Sequence, residues 1–221
     1  MDGAYQESAR YHGMTPTDKF VQFVKDECKE HGVKLRFSPY KRVKAGGYVS
    51  GYFDDNPPVL VIAKKHPLWL GILAHEFCHL RQWVEKADVY TKTKISTGEC
   101  AWTVQNRQLA GEKIPEEHLD EAYRIIIRCE RDCDLRAMDY IRKFKLPIDL
   151  KEYARQANAY HFFYHAVKAR GKWYGKVPIY LNKKVIKLSP NHMRTDPENG
   201  CPPKLLEALI EHVDGNHGIV Y

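Results

Sequence analysis

No export signal and no membrane span can be read in this sequence. The first residues, Met1-Asp2-Gly3-Ala4-Tyr5-Gln6-Glu7-Ser8, are polar and mildly acidic, with no basic stretch leading into an apolar one. That predicts a chain that stays where it is made, in the cytoplasm. The longest apolar stretch, residues 67–74, falls far short of the ~20 residues a membrane helix needs. There is no internal repeat, no low-complexity tract and no CxxC pair, which removes solenoids, disordered tails and zinc knuckles. Six cysteines are present, and without an export signal they are expected as thiols rather than disulfides. Cys129 and Cys133, four apart, share a helix face; they suit a buried apolar position, with metal binding as the alternative.

The 221 residues carry 43% hydrophobic and 29% charged side chains, enough for one domain or one domain with an added lobe. The net charge of +7 leaves nucleic acid or an acidic partner open. A solvated basic surface explains it better, since no aromatic residues interleave with a basic stripe. Nothing in the sequence sets an oligomeric state.

Periodicity and punctuation give the order of elements. Residues 1–14 form an arm. Thr15-Pro16-Thr17-Asp18 opens a helix that stops at Gly32. Three short strands follow, at 33–37, 48–53 and 59–63, expected in one sheet. Pro67 opens a long helix to about Lys86, and further helices are predicted at 97–110, 116–145, 149–169 and from Pro202 to Gly215. The stretch 170–200, rich in Gly, Pro and Lys, is expected to be irregular. The class is therefore α+β: a small N-terminal sheet packed on one helix, followed by a helical C-terminal part. Residues 15–145 are expected as the core and 146–221 as an extension packed on the same domain.

The helix from Pro67 carries His75-Glu76-Phe77-Cys78-His79. Residues four apart lie one turn on, so both imidazoles can chelate one ion. Glu76, at the edge of that face, can accept a proton from a water activated there. The apolar flanks, Leu68 to Ala74 and Phe77, bury this helix, and buried polar side chains need partners.

Catalytic zinc takes three protein ligands and leaves one position open. Glu85, six residues after His79, is a poor third ligand, because Gln82 stands where a turn glycine would be needed and the helix carries Glu85 away. Between Ala122 and Phe144 a better choice exists. Glu130 and Asp134 fall on the side that holds Ile126, Ile127, Cys133 and Ala137. Carboxylates facing a core are costly unless paired or metal-bound. Glu130 as third ligand and Asp134 as acceptor from a ligand histidine would satisfy both; arginine or backbone donors holding the pair would do so as well.

His-Glu-Phe-Cys-His followed by Glu130-Arg-Asp-Cys-Asp134 resembles the gluzincin class of zinc metallopeptidases, and the compact intracellular zincins of bacteria and phages in particular. The resemblance covers residues 15–145 and is specific at the two motifs. It implies a zincin-like fold with one Zn2+ held by His75, His79 and Glu130. It also implies Glu76 as general base and later proton donor, Asp134 supporting a ligand histidine, and a protein or peptide substrate. The strand Val59-Leu60-Val61-Ile62-Ala63 would then be an edge against which an extended peptide pairs. A second oxyanion donor in such a site is sought in Tyr160, His161, Tyr164 and His165. Core packing is the alternative for all four, and His161 with His165 could form a separate metal pair. Against peptidase activity stands a fold used as a binding or regulatory module, its metal structural.

Overall fold

The computed structural model describes residues 13–45, 47–173 and 177–215. Most of the expected arm, residues 1–12, lies outside the described residues. The class is α+β, a small N-terminal sheet followed by a mostly helical remainder. Two compact units make it up, Met1–Val84 with Arg136–Ile148, and Glu85–Leu135 with Asp149–Tyr221. The second unit takes in residues on both sides of the boundary expected at 145. Among the described residues no helix is long and apolar enough to cross a membrane, and all six cysteines are free, with Cys129 and Cys133 buried.

In the first unit α1 (Pro16–Glu30) starts on Thr15, whose hydroxyl caps the Asp18 N–H. The sheet has the order β1 (Lys34–Ser38), β5 (Pro58–Ala63), β4 (Gly51–Asp55). Strand β5 is parallel to β1 and antiparallel to β4. This corrects the expectation for Val59, Leu60, Val61, Ile62 and Ala63. They form the central strand, hydrogen-bonded on both sides, and the open edges belong to β1 and β4. A run of apolar residues marks a strand buried on both faces rather than an edge.

The expected strand 48–53 is two strands. It breaks at the buried Ser50, and β3 (Gly47–Val49) turns back on β2 (Val43–Ala45) as a separate antiparallel hairpin. Val43 and Val49 of the hairpin pack on Val59, Val61 and Ala63. The other face of the sheet meets α2 (Trp69–Glu85), with Phe37 against Trp69 and Phe53 against Trp83. Beside them Phe20, Phe23, Phe77, Tyr140 and Phe144 form an aromatic cluster with ring centroids 5.2–6.5 Å apart.

The second unit contains α3 (Asp88–Thr91), α4 (Ala101–Leu109) and the larger part of α5 (Glu116–Phe144). It continues with α6 (Leu150–Arg170), α7 (Lys183–Leu188) and α8 (Pro203–Gly215). Helix α6 is buried nearly all round, capped at its start by Asp149 and ended by Gly171 in the left-handed region. The stretch expected to be irregular holds α7 and two short 3-10 turns, Ile179–Leu181 and Pro197–Asn199. Polar side chains of α6 pin it. Arg155 donates to the Ser189 carbonyl, and Asn158 to those of Pro190 and His192.

Candidate metal centre

Helix α2 buries Leu70, Leu73, Ala74, Phe77 and Cys78, the i, i+3, i+4, i+7, i+8 stripe of an amphipathic helix. His75, Glu76 and His79 flank that stripe and are half-buried. The two imidazole centroids stand 5.0 Å apart with their planes at 82°, edge to face rather than stacked. The helix continues past Gln82 and stops at Lys86, whose φ of 51° is left-handed. Glu85 at its end is exposed, as its angular position predicts.

Helix α5 places Glu130 and Asp134 at 7% and 4% exposure among the buried Ile126, Ile127, Cys133 and Ala137. The core carboxylates read from the sequence are therefore there. His75, His79 and Glu130 each offer one ligand atom within 4.8 Å of the other two. Two imidazole nitrogens and one carboxylate oxygen could hold a metal ion.

Each donor is itself held. His79 Nδ1 lies 3.1 Å from Gln82 Oε1, so Nδ1–H donates to the amide oxygen. Gln82 is fully buried. The sequence reading weighs Gln82 only as a missing turn glycine. The usable signal is its position three residues after His79, on the same face of a helix with apolar flanks. The Tyr164 hydroxyl lies 3.4 Å from Glu130 Oε1 and 3.2 Å from the Tyr160 hydroxyl. An ionised carboxylate only accepts, so Tyr164 donates to Glu130 and takes its own hydrogen bond from Tyr160.

Asp134, expected as acceptor from a ligand histidine, accepts the Tyr153 hydroxyl at 2.6 Å on Oδ1 and meets His161 Nε2 at 2.9 Å on Oδ2. His161 is wholly buried and its Nδ1 has no hydrogen-bond partner. An imidazole with its hydrogen on Nε2 leaves only a lone pair unmet there. His165 donates to the Pro197 carbonyl at 2.7 Å, and burial holds its pKa below the ordinary histidine value. Both histidines are thus engaged in packing the second unit, the alternative raised from the sequence.

Compared with family models, with curated proteins and with solved structures, the chain matches none.

Proposed function

We propose that this chain is a zinc-dependent metallohydrolase of the zincin type, a peptidase that uses Glu76 as general base. The observation that carries the reading is the convergence of His75, His79 and Glu130 on one position. These three side chains would hold the ion, His79 through Nε2. When bound, a zinc ion supplies Lewis acidity, which makes a water nucleophilic near neutral pH and polarises a scissile carbonyl.

Glu76 follows His75 directly on the motif helix and is half-buried, which suits a base beside the ion rather than a ligand to it. It takes the proton of the attacking water and passes it to the leaving amine. Tyr164 holds the Glu130 carboxylate, and Tyr160 in turn holds Tyr164. Six free cysteines suit a reducing compartment.

The test is elemental analysis with peptide hydrolysis on wild type, Glu76→Gln and Glu130→Ala. Expected are one zinc per wild-type chain and hydrolysis cut at least ~100-fold in Glu76→Gln with zinc retained. Glu130→Ala should lose the metal. Full activity in Glu76→Gln removes Glu76 from its role. Zinc without turnover in the wild type makes the metal structural and the chain a binding or regulatory module.

A further inference from the structure

Between His31 and Phe53 the sequence holds no acidic residue but five cations, Lys34, Arg36, Lys41, Arg42 and Lys44. The fold sets three of them, Lys34, Arg36 and Lys44, on one surface. Register sets Lys34 beside Val59 and Arg36 beside Val61, and neighbours in register point to the same sheet face. Val59 and Val61 are the residues that the hairpin covers, so Lys34 and Arg36 flank the hairpin, on the face away from α2. In the hairpin itself Val43 and Val49 pair and turn inward. Side chains alternate along a strand, so the next pair, Lys44 with Tyr48, turns outward together.

Tyr48 is 59% exposed and Tyr40 is 70% exposed, the two most exposed large apolar side chains among the described residues. Lys65 N–H donates to the Tyr40 carbonyl, which brings the backbone of one more lysine beside Tyr40. Among the sheet residues the single acid that register sets on this face is Asp54, on the far strand β4. The hairpin pairs Lys44 with Tyr48, so a cation and a ring stand side by side on this face.

We propose that this face binds single-stranded nucleic acid. Cations spaced along a surface track a phosphate backbone, and exposed rings give unpaired bases a stacking platform. Charge alone would suit any polyanion. Two bare tyrosines set among lysines cost solubility and fold nothing, and base stacking is the chemistry that uses them. The site lies on the sheet face opposite α2, so it stands apart from the hydrolase reading and does not depend on it.

The experiment is fluorescence anisotropy of the full chain with labelled oligothymidine and oligouridine of about 15 nucleotides. The expected dissociation constant at low salt lies between about 10⁻⁶ and 10⁻⁴ M. Tyr40→Ala and Tyr48→Ala should each weaken binding at least about fivefold. Lys44→Gln should flatten the salt dependence by about 0.7 in log–log slope. Unaltered circular dichroism is expected in all three, since these side chains are exposed, and Glu76→Gln should bind as wild type does. No binding at low salt overturns the proposal. So does binding that both tyrosine changes leave intact, or that polyglutamate displaces as well as unlabelled oligomer does.

Discussion

His79 Nδ1 donates to the side-chain oxygen of Gln82 at 3.1 Å, inside one turn of the motif helix. That contact sets the tautomer and the ring orientation of one metal donor, and the acceptor is fully buried. Gln82→Leu is expected to weaken zinc about 10- to 100-fold with helix content unchanged, measured by competition against a chromophoric chelator. Gln82→Glu keeps the acceptor and makes the imidazole more basic, so its zinc affinity should equal or exceed wild type. Its metal-free form should melt earlier, because the new carboxylate is then buried without compensating charge. Equal zinc affinity in Gln82→Leu and wild type would leave the contact without a role in the centre.

Asp134 joins Tyr153 and His161 in a buried three-way contact within the second unit. Asp134→Ala strands a hydroxyl and an imidazole N–H in apolar surroundings, a cost of about 3 kcal/mol or more. Asn at this position still accepts from Tyr153. Its amide forces the His161 hydrogen onto Nδ1, which has no partner, so Asp134→Asn should fall between wild type and Ala. Tyr153→Phe should cost about 1 kcal/mol. Urea unfolding with a chelator present keeps metal binding out of the comparison. Asp134→Ala as stable as wild type would show that water meets these groups.

What the sequence disclosed was local. The stripe from Leu70 to Cys78 and the carboxylates at Glu130 and Asp134 repeat within single helices, where a period of 3.6 is visible in the order of residues. Both motif helices end near where they were expected, at Lys86 and Lys145, each with positive φ. Pairing between distant segments leaves no such trace. Val59 to Ala63 was legible as a strand but not as the middle one, because its neighbours come from residues 34–38 and 51–55. The β2–β3 hairpin uses three-residue strands, too short to show alternation. Helix α7 is six residues long in a stretch whose composition points to irregular chain. Gln82 and Tyr153 became visible as partners only once burial was known.

Gly51 of β4 sits where α2 presses on the sheet. A Cβ there would lie 2.7 Å from Ile72 Cγ2 and 3.1 Å from both Ile62 Cδ1 and the Val61 carbonyl oxygen. Gly51→Ala should therefore cost about 1–3 kcal/mol, as overpacking does. Ile72 Cγ2 is attached at Cβ and cannot swing clear by a far torsion. Ile72→Leu removes that branch, so the double variant should recover part of the loss that Gly51→Ala shows alone. Ile72 stands one turn before His75, so the single variant is also expected to lower zinc affinity. Strict additivity in urea unfolding would place the strain elsewhere.

His66 precedes the motif helix, and its Nδ1 accepts the Leu68 N–H at 3.1 Å, which requires a bare lone pair. Burial pushes its pKa down to about 4, and the nearby Arg42 adds to the shift. Between about pH 6.5 and 4 the unfolded chain binds a proton that the folded one refuses. Folding stability therefore falls as pH drops through that window, by about 2–3 kcal/mol from this residue. His165 and His212, also held low by burial, act in the same direction, so the isolating comparison is His66→Asn. Asn offers an oxygen to the same N–H and does not titrate. Metal-free wild type and His66→Asn, unfolded by urea from pH 7 to 4, should diverge, the wild type losing the additional 2–3 kcal/mol. Parallel profiles would mean that His66 takes its proton equally in both states, and the first turn of the motif helix would then carry no acid sensitivity of its own.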